Sequence, residues 1–85
     1  MNAKAYILLD IINGKSQEVA ECLSGRPGVV GLELLEGSPG MLVKCEANNR
    51  QALARLTVDA LAAVEHAIEN VSLLPVKVGV RNGMN

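Results

Sequence analysis

Aromatic residues are almost missing from this sequence. It has no Trp and no Phe, and Tyr6 is its single aromatic side chain. Stacking of bases on aromatic platforms is thereby nearly excluded as a binding mode. An excess of charge of either sign is also missing. The formal net charge is −1, and Lys4, Lys15, Arg26, Lys44, Arg50, Arg55, Lys77 and Arg81 are scattered along the chain. That pattern argues against nucleic acid or an anionic membrane surface as partner. Cysteine is scarce as well. Cys22 and Cys45 lie far apart and match neither a zinc nor a CxxC spacing, so no metal and no disulfide framework is expected. His66 is the one histidine. No apolar run is long enough to span a bilayer, and no basic n-region with a small-residue cleavage site opens the chain. A cytoplasmic protein is expected.

What is present is aliphatic. Nearly half of the 85 residues are hydrophobic, so the core must be built from Leu, Val, Ile and Ala. A single core of this size is marginal, because conformational entropy nearly cancels burial. Self-association is a common remedy. One domain is expected over residues 1–78, with a C-terminal tail over 79–85.

The centre of the chain is the stretch Leu34 to Lys44. It reads as two apolar strands joined by a tight turn through Glu36, Gly37, Ser38, Pro39 and Gly40. Pro39 suits the second position of a type II turn, and Gly40 supplies the positive φ required next. One plan lies on either side of this turn: strand, polar start, amphipathic helix, strand.

Ala3 to Ile12 is the first strand. Ala5, Ile7, Leu9 and Ile11 share one face; Tyr6, Leu8 and Ile12 share the other with Lys4 and Asp10. A strand apolar on both faces is usually covered on both. Asn13-Gly14-Lys15-Ser16 ends it, with Gly14 or Ser16 as cap of a helix from Gln17 to Ser24. Val19, Cys22 and Leu23 recur at the spacing of one buried face. Val29 to Glu36 is a second strand, with Val30, Leu32 and Leu34 on one face and Val29, Gly31, Glu33 and Leu35 on the other. Met41 to Glu46 is the third, paired antiparallel to the second. Asn48 or Asn49 caps a helix over Arg50 to Val64. Ile68 to Val78 is the fourth strand, and Pro75 confines it to a sheet edge or interrupts it there.

Two βαβ units with right-handed crossovers, joined by a hairpin, make an α+β fold: a ferredoxin-like βαββαβ plait with a four-stranded antiparallel sheet and two helices on one face. The open face would carry Tyr6, Leu8 and Ile12, a patch expected to pack against a second subunit in a dimeric α/β-barrel type of association.

Several segments resemble a known family. Ala5-Tyr6-Ile7-Leu8-Leu9-Asp10-Ile11, followed by Gly14-Lys15-Ser16-Gln17-Glu18-Val19-Ala20, is similar to the start of the effector-binding (RAM) domain of the Lrp/AsnC transcription regulators. Arg26-Pro27-Gly28-Val29-Val30 is similar to that family's entry into its second strand, and Leu42-Val43-Lys44-Cys45-Glu46-Ala47 resembles its third. The resemblance covers residues 3 to 78. It implies a stand-alone form without the family's helix-turn-helix, and so no direct nucleic-acid binding. It implies a homodimer through the sheet face, with a higher oligomer open, and a small-molecule effector such as an amino acid at a subunit interface beside Glu36, Gly37, Ser38, Pro39 and Gly40. One departure stands out: Gly40 occupies the place where the family usually has an aspartate. An alternative with the same fold is a NapD-like chaperone, which would bind a twin-arginine signal peptide on the sheet face; Ser38-Pro39-Gly40-Met41-Leu42-Val43 resembles that family loosely.

The chemistry-bearing residues have plainer readings beside these. Pro39 and Gly40 are accounted for by turn geometry. His66 lacks an orienting partner in the sequence and sits at a helix end. Cys22 and Cys45 read as small core residues. Glu33, Glu36 and Glu46 suit solvated strand positions. Small dimeric α/β-barrel monooxygenases share the fold, but one Tyr and one His are a poor supply of catalytic groups. No enzyme and no cofactor is expected.

Overall fold

A computed structural model of the chain describes residues 2–36 and 40–76, excepting the side chains of residues 75 and 76. The elements are β1 (Ala3–Ile11), α1 (Ser16–Ser24), β2 (Val29–Leu34), β3 (Gly40–Ala47), α2 (Arg50–Val64), a 3-10 turn (Glu65–Ala67) and β4 (Ile68–Val76). The strands form one antiparallel sheet in the order β2-β3-β1-β4. This is the ferredoxin-like α+β arrangement that the order of elements implies. The proposed tail, 79–85, lies outside the described residues.

Strand alternation sets the two faces of the sheet. Ala5, Ile7 and Leu9 of β1 and Met41, Val43 and Cys45 of β3 are buried on the helix side. Val19 and Leu23 of α1, Ala60 and Val64 of α2, and Ala67 close the core over them. β1 and β3 are in register from Ala3 opposite Ala47 to Asp10 opposite Gly40. Residues opposite each other in an antiparallel pair share a face, so the open face takes Lys4, Tyr6, Leu8 and Asp10 from β1 and Gly40, Leu42, Lys44 and Glu46 from β3.

The helix ends differ in how they are capped. α2 begins as expected: the Asn49 side-chain oxygen accepts a hydrogen bond from the Ala52 N–H at 2.8 Å, satisfying one of the orphan donors of a first turn. α1 does not follow the expected pattern. Its cap position is Lys15, with no side-chain bond, and Ser16 is already helical. The entry is set by the backbone instead, because the Lys15 N–H donates to the Ile12 carbonyl at 3.0 Å around Gly14.

Two bulges alter the simple alternation. In β2, Val29 lies opposite Cys45 and Gly31 opposite Lys44, which leaves Val30 as the extra residue. The expected faces of β2 are corrected accordingly. Val29 joins Leu32 against the core, while Val30 is exposed. The bend that makes this possible starts at Gly28, whose φ is +88°. A Cβ there would stand 2.4 Å from Leu56 Cδ2 and 3.2 Å from the Glu46 carbonyl oxygen, so only glycine fits without a shift. In β4, Asn70 lies opposite Asp10 and Ile68 opposite Ile11, which makes Glu69 the extra residue. Among the described residues β4 pairs only with β1, so Pro75 sits in an edge strand, where a missing N–H is tolerated.

Cys22 corrects another expectation. It is exposed rather than part of the inward stripe, and its thiol lies 3.9 Å from the Ala63 carbonyl oxygen on the flank between the two helices. Val19 and Leu23 carry the buried side of α1, with Ala20 partly buried beside them.

Candidate functional site

The open sheet face is where the sequence-derived site residues meet. Leu8 stands opposite Leu42 on one side and Ser72 on the other; Tyr6 stands opposite Lys44 and Leu74. Tyr6 and Leu74 are exposed, and Leu8 and Leu42 are half-buried. The centre of the face is therefore an aliphatic strip with one phenol at its side, and no helix among the described residues covers it. A lone Tyr in this setting buries its ring when a second surface arrives and keeps its hydroxyl wet.

Ion pairs border the strip. Lys44 Nζ contacts Glu33 Oε2 at 2.8 Å, across β3 and β2. Lys4 Nζ lies 3.6 Å from Glu46 Oε2, across β1 and β3. The hydrogen bond from Lys44 to Glu33, together with the nearby negative charge, raises the Lys44 pKa above the ordinary lysine value. Lys15 pairs with Glu18 at 3.6 Å. Each of the three described lysines is thus matched to a carboxylate, which leaves no lysine patch for an anionic polymer among the described residues.

Ile12, grouped with Tyr6 and Leu8 from the sequence, lies one residue beyond β1. Its N–H donates to the Ala67 carbonyl at 2.9 Å, tying the end of β1 to the turn before β4. It is half-buried and stands at the end of the strip, outside the ladder.

Of the hairpin residues named for a ligand, Glu36 and Gly40 are described and Gly37, Ser38 and Pro39 lie outside the described residues. The Leu35 N–H donates to the Gly40 carbonyl at 2.6 Å, which closes the hairpin. Gly40 has φ +115°, a conformation that strongly favours glycine. Glu36 is exposed. Asp10 stands opposite Gly40, so a carboxylate from the neighbouring strand borders the position.

One pair escaped the sequence reading. His66 Nε2 donates to Glu18 Oε2 at 2.5 Å, joining residues 48 apart in sequence. The contact links the turn after α2 to the first turn of α1. With Lys15 beside it, the hydrogen bond from His66 holds the Glu18 carboxyl below the ordinary glutamate value. Both side chains are about half exposed, and no group of three or more metal-ligating side chains occurs among the described residues. Only the antiparallel topology brings the two together, because β1 ends and β4 begins at the same end of the sheet. Cys45 is buried, and burial pushes its thiol pKa up, which leaves it un-ionised and inert.

No described helix is long and apolar enough to cross a membrane. A scan against protein-family models finds no match, and neither does a search of curated proteins. Solved structures do match. FFRP-DM1 superposes with a TM-score of 0.79 at 24% identity, over 88% of this chain and 99% of that one. The hypothetical protein PHS023 from Pyrococcus horikoshii gives 0.80 at 24% identity, over 92% of each chain. A transcriptional regulator from Neisseria meningitidis, in complex with L-Met, gives 0.73 at 18% identity, over 94% of this chain and 53% of that one. This chain spans about half the length of that regulator. At these identities the likeness is one of fold: the chain has the four-stranded, two-helix architecture found in these proteins.

Proposed function

We propose that this chain is a non-catalytic ligand-binding and oligomerisation module of the Lrp/AsnC type that dimerises through its open sheet face. The observation that carries the reading is the aliphatic strip of Tyr6, Leu8, Leu42 and Leu74, uncovered by the described residues and flanked by ion pairs. The pairs Lys44–Glu33 and Lys4–Glu46 put both signs of charge on each copy. A twofold axis over the strip can therefore set cation against carboxylate twice. A small effector, an amino acid being the first candidate, would sit between subunits beside Glu36 and Gly40. The fold it shares with a regulator crystallised with L-Met supports this choice of ligand class. A cytoplasmic setting, alone or beside a separate DNA-binding regulator, belongs to the same reading.

Light scattering tests the dimer. The parent protein is expected at twice the monomer mass or an even multiple of it, and Leu42→Lys is expected to halve that mass by placing a charge in the strip. A thermal-shift screen against the twenty amino acids tests the ligand, with at least one expected to raise Tm in a concentration-dependent way. A monomeric parent that binds a twin-arginine signal peptide would overturn the reading in favour of a chaperone that uses the same uncovered face.

A further inference from the structure

Between β1 and α1 the chain turns on Asn13 and Gly14. The Lys15 N–H donates to the Ile12 carbonyl at 3.0 Å, which closes a tight turn with those two residues at its centre. Gly14 has φ +87°. A turn of this kind engages only its outer residues, and the Gly14 N–H makes no hydrogen bond among the described residues. Asn13 and Gly14 are both exposed. A Cβ built on Gly14 would meet nothing within 4 Å, so the space around the turn is open.

Asparagine is a thermolabile residue. Its side-chain amide is attacked by the backbone nitrogen of the next residue, and glycine, with no Cβ, shields that nitrogen least. The other described asparagines are placed differently. Asn49 commits its side-chain oxygen to the Ala52 N–H at 2.8 Å and is followed by Arg50. Asn70 lies in the ladder opposite Asp10 and is followed by the β-branched Val71.

We infer that Asn13–Gly14 is a site of spontaneous deamidation, and that its main product loosens the start of α1. The Gly14 nitrogen attacks Asn13 Cγ. The N–Cγ bond forms, the Cγ–Nδ2 bond breaks, and the Gly14 N–H proton leaves with the amide nitrogen as ammonia. Water then opens the cyclic imide. Attack at Cγ leaves aspartate at position 13. Attack at the backbone carbonyl carbon leaves isoaspartate, whose main chain runs through the former side chain.

The two products act differently on the fold. α1 has no side-chain cap bond, so the Lys15–Ile12 bond holds its start. Isoaspartate adds a methylene to the main chain inside that turn and pulls this bond apart. Aspartate adds a charge and leaves the length of the main chain unaltered. Nothing in this chemistry rests on the proposed ligand or on the dimer.

Tryptic mapping of the full chain, incubated folded at mildly alkaline pH, tests the site, with an unincubated sample as baseline. Cleavage after Lys4 and Lys15 releases Ala5–Lys15, in which Asn13 is the sole asparagine. This peptide is expected to gain the amide-to-acid mass increment and to split into two chromatographic peaks, the isoaspartyl one larger. The peptide Cys45–Arg50, which holds Asn48 and Asn49, is expected to stay unchanged over the same interval. Asn13→Gln is expected to abolish the conversion. If the folded chain leaves Ala5–Lys15 intact while the urea-unfolded chain converts it, the fold protects the turn and the inference fails. Melting temperature tests the consequence. The isoaspartyl protein, separated by chromatography, is expected to melt below the parent, and Asn13→Asp is expected to melt with it. An isoaspartyl form as stable as the parent would overturn the role given to the turn.

Discussion

His66 hydrogen-bonds to Glu18, and with this contact the only histidine of the chain couples the end of α2 to the beginning of α1. The bond lowers the folded-state pKa of Glu18, with Lys15 adding to the effect. A carboxylate held below its unfolded value contributes stability above that value and loses the contribution as pH falls through the folded one. Glu18 therefore contributes fully above the ordinary glutamate value of 4.5 and progressively less below it. Melting temperature measured against pH should show the parent exceeding Glu18→Gln at neutral pH, with the two curves converging in acid. A gap of constant size at every pH would contradict this origin.

Gly28 offers a test of backbone geometry. Gly28→Ala must hold a side chain at φ +88° and push back Leu56. The expected loss is about 1–3 kcal/mol, the usual cost of a residue forced into a sparsely populated region, read from the urea midpoint at unchanged slope. An unaffected midpoint would mean that the α1–β2 loop relaxes at no cost.

Leu9 is wholly buried between α2 and the sheet. Leu9→Ala removes core volume that the neighbours fill only in part, at a cost of about 2–5 kcal/mol. In a domain this small that is a large share of total stability, so equilibrium unfolding should begin at low denaturant.

Asn49→Ala removes the side-chain bond to the Ala52 N–H and should cost about 1 kcal/mol. Asn48→Ala is the control. It lies outside the cap and should change the melting temperature little.

The two thiols should differ in kinetics. Cys22 is exposed, and Cys45 is buried with its pKa raised. An aromatic disulfide reagent should titrate one thiol promptly and the second only on unfolding. Cys22→Ser should abolish the fast phase.

Much of the fold was legible because period and punctuation agreed. Ala5, Ile7 and Leu9 alternate as a strand must, the Leu53–Leu56–Ala60–Val64 stripe predicts α2 with the bounds it has, and of the two readings of Pro75, an edge or a break, β4 takes the edge. The β2 faces were not legible. A bulge leaves no mark on a run such as Val29-Val30-Gly31, where either valine can point inward; the decision lies with Gly28 and its contact to Leu56, which belongs to tertiary packing. Cys22 misled for a related reason. It shares the helical stripe of Val19 and Leu23, but its thiol lies beside the Ala63 carbonyl of α2, at the flank between the helices. The His66–Glu18 pair was out of reach altogether, since local pattern carries nothing about partners 48 residues apart. The apolar open face, by contrast, was readable from Tyr6 and Leu8 alone, because β1 is hydrophobic on both sides.

The position of β1 has a consequence for biosynthesis. It leaves the ribosome before the other three strands of its sheet, yet it is an inner strand of the finished sheet, with β3 on one side and β4 on the other. Its second ladder joins Ile11 to Ile68 and Lys4 to Val76, so one edge of β1 waits until nearly the whole described chain has been made. At about 5–20 residues per second, the wait lasts several seconds. The β2–β3 hairpin closes locally in the meantime and can accept β1 on its free side. The partial sheet then ends in β1, and until β4 arrives that apolar edge is the part of the nascent chain most exposed to mispairing.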